Sequence, residues 1–190
     1  MWMKDEDTLI EEVLQGNHSS FEPLLQPYRQ GFLTMAYRMT GNMEEAKEVC
    51  QEALFKMFRY LGSFKKGRSF KTWAYRIVMN TSFDFLREKK KIEKVLEVQK
   101  RSFVFENSDA EKRVWNREIR EKIQNVLHIL TPKEKAVFLL RDGEGLSVWE
   151  ASKVLGCSQM SIRTHLSRAR QKMRGHFEKK NLFGSNEVET

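Results

Sequence analysis

Residues 158–174 place arginine, hydroxyl and amide side chains on one side of a predicted helix. At about 100° per residue, the opposite side is a narrow apolar stripe of Ile162, Leu166, Ala169 and Met173. The polar side contains Arg163, Thr164, Ser167, Arg170, Gln171 and Arg174. These groups can form hydrogen bonds to guanine, adenine and phosphate oxygens. An ordinary solvated helix face is the alternative, but such faces usually include glutamates, and none occurs between Ser161 and Phe177. The pattern favours contact with duplex DNA.

A second segment, residues 64–91, interleaves aromatic and basic side chains. Its rings are Phe64, Phe70, Trp73, Tyr75, Phe83 and Phe85. Its cations include Lys65, Lys66, Arg68, Lys71, Arg76, Arg87 and residues 89–91. Rings stack on unpaired bases and cations follow the backbone, so this composition suits single-stranded or flipped nucleotides. Large apolar residues are usually buried, so composition alone leaves open whether the rings bind bases or form a core.

Residue patterns typical of enzymes are absent from the sequence. There is no Gly-rich phosphate loop, no His-Glu-x-x-His motif and no nucleophile elbow. The histidines are scattered, and the thiols of Cys50 and Cys157 are remote from each other in the chain. No Cys/His group has the spacing of a zinc site. We therefore expect that the protein is not an enzyme and has no catalytic residue, metal or cofactor.

The net charge of +8 and the pI near 9.5 conceal a strong division along the chain. Residues 1–55 contain 4 basic and 10 acidic side chains, whereas residues 56–91 contain 11 and 2. Residues 92–111 contain 3 and 5, and residues 112–190 contain 16 and 9. Two basic zones beside an acidic one indicate nucleic acid together with a further partner.

The longest wholly apolar run, residues 136–140, is far shorter than the roughly 18 residues of a membrane span. The acidic start of the sequence is also unlike a signal peptide. We expect a soluble, cytoplasmic protein without membrane insertion.

The first half of the chain predicts four helices and no strand. Thr8 and Glu11 form a possible capping box for the first helix. A second is expected from about Ser20 to Thr40, with a kink or a delayed start at Pro27. Gly41-Asn42 closes it and caps a third helix that runs to about Tyr60, with Glu45 at its N3 position. A fourth is expected over about 69–91.

The second half predicts a further helical set that contains a helix-turn-helix. One helix is expected over 115–130. Thr131, Pro132 and Glu134 then combine a cap, a helix-starting proline and a box glutamate. Ser147 and Glu150 form another capping box before helix 148–155. Gly156 supplies a turn and Ser158 caps the helix described first.

These elements predict an all-α protein of two small helical domains joined by a flexible linker, the second containing the helix-turn-helix. The expected boundaries are 1–92 for the first domain, 93–111 for the linker, 112–180 for the second domain and 181–190 for a tail.

Three motifs, in this order, resemble the bacterial RNA polymerase sigma factors of the sigma-70 family, in the extracytoplasmic-function (ECF) group. Gly41-Asn42 with the residues that follow is similar to region 2.2 of that family. Regions 2.3 and 2.4 are matched at Phe70, Trp73, Tyr75, Arg76, Ile77, Asn80, Asp84 and Arg87. Residues 130–147 with the helix-turn-helix resemble region 4. The resemblance covers about residues 9–178 and implies a minimal, two-domain sigma factor.

The resemblance implies three binding surfaces. Core polymerase would bind Glu45, Glu48, Gln51, Glu52 and Phe55. The melted minus-ten element would contact Lys65, Lys66, Arg68, Phe70, Lys71, Trp73, Arg76, Asn80 and Arg87. The duplex minus-thirty-five element would contact Ser158, Met160, Ser161, Arg163, Thr164, Ser167, Arg168, Arg170 and Arg174.

The expected partners are core RNA polymerase, promoter DNA and an anti-sigma factor, and the free chain is expected to be monomeric. Five residues depart from the family pattern, namely Lys47, Ala151, Ser152, Met160 and His165. Of these, Met160 is the one expected to alter DNA contacts, since it lies at the start of the recognition helix. The alternative function is a two-domain regulator, whose helix-turn-helix binds an operator while its first domain senses a ligand or dimerises.

Overall fold

The computed structural model describes residues 5–99 and 123–184, in which helices are joined by turns and no strand occurs. The first part contains α1 (Glu6–Leu14), α2 (Phe21–Leu25), α3 (Arg29–Thr40), α4 (Met43–Tyr60) and α5 (Phe70–Gln99). The second contains helical residues 123–127 (α6), then α7 (Pro132–Phe138), α8 (Val148–Leu155) and α9 (Gln159–Gly184). The all-α prediction is confirmed.

The start of α1 differs from the prediction. Asp5, not Thr8, is the N-cap, and its carboxylate accepts a hydrogen bond of 2.7 Å from the Thr8 amide. Aspartate is among the strongest N-cap residues, and it precedes Thr8 by three positions. The helix therefore begins at Glu6, and the capping box predicted from Thr8 and Glu11 is wrong.

Pro27 divides the predicted second helix as its missing amide and fixed φ require. α2 ends at Leu25 and α3 begins at Arg29. At the end of α3, Gly41 has φ +86°, a left-handed conformation that glycine adopts without a steric penalty. Asn42 then accepts hydrogen bonds from the amides of Glu44 and Glu45, which confirms the predicted cap of α4.

The caps of the second domain are also confirmed. At α7, Thr131 and Glu134 form both bonds of a capping box, at 2.9 and 3.3 Å. At α8, Ser147 and Glu150 form a second box, at 2.7 and 3.1 Å. The helix-turn-helix is therefore formed by α8 and α9, with Gly156 in the left-handed turn between them at φ +62°.

α5 is longer than predicted. The expected end near Lys91 is wrong, because the helix continues to Gln99. Residues 92–99 contain neither glycine nor proline, so nothing in them terminates a helix. The predicted linker, 93–111, thus begins inside α5, and its residues 100–111 lie outside the described residues. The predicted helix over 115–130 is described only from residue 123 and ends at residue 127.

Apolar residues from both halves form one continuous buried cluster. In the first half, α3 packs on α4 and α5, and its Phe32 and Met35 are each 2% exposed. In the second, α9 packs on α7 and α8. α5 also contacts α8, which brings the two domains together side by side. The long helix α5 is therefore one of the elements that hold the two domains together in this arrangement.

Candidate nucleic-acid and protein interfaces

α9 is oriented by its cap and its apolar stripe. Ser158 accepts a hydrogen bond of 3.1 Å from the amide of Ser161, which fixes the first turn. Ile162 and Ala169 are fully buried and Leu166 is 8% exposed, so the predicted inward stripe is confirmed. Because this stripe is anchored in the second domain, the opposite face of α9 points to solvent.

That outer face carries most of the predicted duplex-contacting side chains, which are exposed: Met160, Arg163, Thr164, Ser167, Arg168, Arg170 and Arg174. Among the described residues, Arg163, Arg168 and Arg174 form no ion pair. A shallow groove of about 500 Å³ runs along the face, lined by Arg163, Leu166, Ser167, Arg170, Gln171 and Arg174. Three free guanidinium groups on one open face are suited to phosphates and base edges.

Arg170 differs from the other arginines of this face. Its guanidinium donates two hydrogen bonds to the carboxylate of Asp142, at 3.0 and 2.6 Å. These bonds raise the pKa of Arg170 above its ordinary value. The predicted role of Arg170 in DNA contact therefore requires exchange of this pair, and sequence reasoning had no signal for Asp142, which lies 28 residues away.

The rings of the predicted minus-ten surface are mostly part of the core. Phe70 and Tyr75 are each 1% exposed. Trp73 is half-buried, with its ring centroid 5.6 Å from those of Phe64 and Phe70. Phe70 thus supports the ring of Trp73 and presents no face of its own to a base. For Phe70 and Tyr75, the alternative interpretation, that these rings form part of the core, is therefore correct.

The polar members of the same surface divide into free and engaged groups. Lys65, Arg68, Arg76 and Asn80 are exposed. Lys66 pairs with Glu11 of α1, and Arg87 lies 3.3 Å from Asp84. Lys71 donates a hydrogen bond of 3.2 Å to the backbone oxygen of Glu144, in the second domain.

Tyr75 links the two domains through its hydroxyl group. The phenol donates a hydrogen bond to the carboxylate of Glu144. Burial, the hydrogen bond and the negative charge of Glu144 raise the pKa of Tyr75, so the phenol keeps its proton across the neutral range. Gly31 of α3 makes room for this geometry, because a β-carbon at that position would collide with the Tyr75 hydroxyl.

Further contacts cross the same boundary. The side-chain amide of Gln124 donates a hydrogen bond of 2.9 Å to the backbone oxygen of Tyr37. A cleft of about 560 Å³ between the domains is lined from α5 by Asn80, Phe83, Asp84, Leu86, Arg87 and Lys90, and from the second domain by Pro132, Lys133 and Leu155. Two predicted minus-ten residues, Asn80 and Arg87, therefore lie at the seam between the domains.

The predicted polymerase-binding residues line a groove between α4 and α5. The groove has a volume of about 1010 Å³ and contains Glu45, Glu48, Gln51, Glu52 and Phe55 on its α4 side. Phe55 and Ile92 are each 58% exposed at its walls. Glu45 is paired with Lys89 at 2.5 Å, and Lys47 with Glu44 at 2.6 Å. Exposed apolar side chains among acidic ones are complementary to a basic, amphipathic partner.

Sequence reasoning missed the α5 wall of this groove. It adds the acidic residues Asp84, Glu88 and Glu93, together with Ile92. The spacing of Asp84 and Glu88, four residues apart on one helix face, is a signal that could have identified it.

The described residues offer no other site of chemistry. Among them, no three His, Cys, Asp or Glu side chains come together to hold a metal ion. Burial raises the pKa of the Cys50 thiol to about 11, which makes it a poor nucleophile at neutral pH. No helix in this part of the chain has the length and apolar character needed to cross a membrane.

Two family models match the chain in the order of its domains. Sigma-70 region 2 matches residues 24–92, and sigma-70 region 4 matches residues 120–173. The RNA polymerase sigma-H factor of Pseudomonas aeruginosa is 29% identical over 177 residues, which cover 88% of this chain and 91% of the relative. The ECF RNA polymerase sigma factor SigW of Bacillus subtilis is 28% identical over 174 residues, 87% of this chain and 92% of the relative.

Solved structures share the fold over both domains. CnrH in complex with the cytosolic domain of CnrY has a TM-score of 0.69 at 23% identity, covering 92% of this chain and 99% of that one. The sigma factor RpoE of Bartonella quintana, in complex with the anti-sigma factor NepR, has a TM-score of 0.68 at 19% identity, covering 83% and 96%. With both regions matched and relatives aligned along almost their whole length, the chain belongs to the ECF group of the sigma-70 family, the factors that direct RNA polymerase to promoters.

Proposed function

We propose that this sigma factor binds core RNA polymerase through the α4 and α5 groove, recognises the minus-thirty-five element as duplex with α9, and binds the minus-ten element as a melted strand with α5. The observation that carries the proposal is the outer face of α9, where Arg163, Arg168 and Arg174 are exposed and unpaired among the described residues. The proposed functional division is 1–92 for polymerase and minus-ten binding, and 112–180 for the upstream element.

The upstream contact follows from the size and chemistry of α9. A helix fits the major groove of B-DNA, where the donor and acceptor pattern distinguishes all four base pairs. Arg163 lies in the first two turns of α9, the part of a recognition helix that approaches base edges. Arg168 and Arg174 lie further along and suit phosphate contacts, which fix the register of the helix on the duplex.

The minus-ten contact is centred on Trp73. Its ring is half-buried against Phe64 and Phe70, so the exposed part is held rigidly and offers an edge or a face to an unstacked base. Arg76 and Asn80 are exposed on the following turns of α5. They supply a cation for the backbone and an amide for a base edge.

The polymerase contact is assigned to the acidic groove. Exposed apolar side chains beside carboxylates favour a helix that has both an apolar face and basic residues. Lys47 is paired with Glu44 and is absent from the lining of the groove, so this departure from the family pattern need not weaken the contact.

The packed arrangement of the domains is incompatible with simultaneous contact to both promoter elements. The elements lie about 25 base pairs apart by definition, or about 85 Å at roughly 3.4 Å per base pair. A domain of this size has a radius of gyration of about 13 Å. The centres of two domains in contact therefore lie much closer together than the two promoter elements do. The domains must separate when both elements are bound, which would break the Tyr75–Glu144 contact.

An anti-sigma factor is a further proposed partner. The Bartonella RpoE structure is a complex with such a protein, and this chain shares its fold. A protein that stabilised the packed arrangement would keep the factor from contacting both elements.

The function is tested by co-purification with core RNA polymerase, followed by runoff transcription from promoters mapped after overexpression. The expected result is a stoichiometric complex that starts transcription at discrete sites with shared upstream elements. A chain that binds DNA but not core polymerase would contradict the proposal and would identify a DNA-binding regulator instead.

A further inference from the structure

Met160 is an apolar residue in the middle of a polar surface. It is the second residue of α9 and is 68% exposed, which leaves most of its side chain in water. At about 100° per residue, it lies on the same side of the helix as Arg163, Thr164 and Ser167. It belongs to neither of the apolar clusters of the described residues. The fold therefore gives Met160 no role in packing.

The neighbouring threonine extends this apolar spot. The hydroxyl of Thr164, one turn later, donates a hydrogen bond of 3.0 Å to the backbone oxygen of Met160. With its hydroxyl proton donated to the helix backbone, Thr164 can no longer donate to a base and presents its methyl group beside an acceptor oxygen on an exposed side chain. Two apolar groups thus lie one helical turn apart at the beginning of the recognition helix.

Only one group in the major groove matches this chemistry. The edges of guanine, cytosine and adenine are polar there, whereas thymine carries the C5-methyl group. The first turns of a recognition helix approach base edges most closely, and a thioether chain is flexible enough to fit against a methyl group.

We propose that Met160 is a specificity-determining residue that selects thymine at one position of the upstream element by contact with its C5-methyl group. This inference rests on the proposed function of α9. It adds a position at which the base is selected without a hydrogen bond.

The test replaces thymine by deoxyuridine, one position at a time, in the upstream element of a mapped promoter. This change removes the methyl group and keeps every hydrogen-bonding group. Binding of the promoter by holoenzyme, reconstituted from core polymerase and the full chain, is measured by fluorescence anisotropy. Three chains are compared, namely the native chain, Met160→Gln and Met160→Leu. Glutamine has a similar length but is polar, and leucine is the apolar control.

For the native chain we expect about a fourfold loss of affinity at one thymine, the equivalent of one buried methyl group. Met160→Gln should bind the thymine and uracil templates equally at that position and should keep its sensitivity elsewhere. Met160→Leu should retain most of the uracil penalty. Because residue 160 is exposed, neither variant should alter the melting temperature.

Two outcomes would overturn the inference while leaving the proposed function intact. One is a native holoenzyme that shows no uracil penalty at any thymine of the element. The other is a Met160→Gln variant that keeps the full penalty or loses affinity equally on all templates, which indicates a contact with the backbone or with polymerase. A native holoenzyme without promoter-specific binding would instead overturn the proposed function itself.

Discussion

The two surfaces proposed to bind DNA differ in whether their side chains are bonded to other parts of the protein. On α9, Arg163 and Arg168 are exposed and form no ion pair with a described residue. On α5, Lys71 and Tyr75 are both bonded to Glu144, and Asn80 lies at the seam with the second domain. The surface proposed for duplex DNA is thus available in the packed arrangement, whereas the surface proposed for the melted strand is partly covered. Domain separation should therefore strengthen binding to the minus-ten strand and leave the affinity for the upstream duplex unchanged.

The largest effect is expected for Arg163→Ala, which removes a free guanidinium from the open surface. We expect a loss of about 1–3 kcal/mol in binding to the upstream duplex, with relaxed specificity at one base pair. Anisotropy with duplexes that vary at each position measures both effects. Arg29→Ala, in the first domain, is the matched control and should change neither. A uniform loss on all duplex sequences would show that Arg163 contacts a phosphate and selects no base.

Gly31→Ala should destabilise the packing of Tyr75 in α5, although position 31 is not among the proposed DNA contacts. The added methyl group collides with the hydroxyl of Tyr75, whose ring is packed 5.2 Å from that of Phe32. We expect a loss of about 2 kcal/mol in the free energy of unfolding, as for an overpacked core, together with faster amide exchange over residues 70–80. Gly62→Ala is the control, since its nearest neighbour is 3.8 Å away. Equal stability of the two variants would mean that Tyr75 moves aside at no cost.

Tyr75→Phe tests the hydrogen bond between the domains without removing the aromatic ring from the core. It keeps the ring, removes the hydrogen bond and leaves Glu144 without that partner, at a cost of about 1 kcal/mol to the packed arrangement. The free chain should then bind single-stranded minus-ten DNA up to about fivefold more tightly, with unchanged affinity for the upstream duplex. Combined with Glu144→Gln, the two effects should be non-additive. Additive effects would show that the two side chains act independently.

Asp142→Asn should have the smallest effect. It weakens an exposed pair worth about 0.2–1 kcal/mol and releases Arg170 toward the DNA. If Arg170 then contacts a phosphate, the salt dependence of duplex binding should steepen by about one unit. An unchanged slope would assign Arg170 to the support of α9 alone. The two results thus distinguish an Arg170 that contacts DNA once its pair with Asp142 is weakened from one that only supports α9.

The sequence predicted most helix caps of this structure, although the cap of α1 is Asp5 and not Thr8. The caps at Asn42, Thr131 and Ser147 depend on residues two or three positions apart, and all three are confirmed. The apolar stripe of α9 was predicted for the same reason, since helical periodicity is a local property. The predicted end of α5 at Lys91 was wrong because residues 92–99 contain no glycine or proline, and Ile92 and Val95 continue the helical spacing three residues apart.

The contacts between domains could not be predicted. Tyr75 and Glu144 are 69 residues apart, and Gln124 reaches Tyr37 over 87 residues. Nothing in the composition of either segment identifies its partner, because such pairs depend on how two folded units pack together. The covering of α5 therefore became visible only in the structure.

The central claim is that the domains separate when the factor binds its promoter. The most direct measurement is the distance between spin labels at Gln26 and Glu178, exposed residues of the two domains, in a chain with Cys50→Ala and Cys157→Ser. We predict that this distance increases by tens of ångströms from the free chain to the complex with core polymerase and promoter DNA. An unchanged distance in a complex that protects both promoter elements would contradict this account.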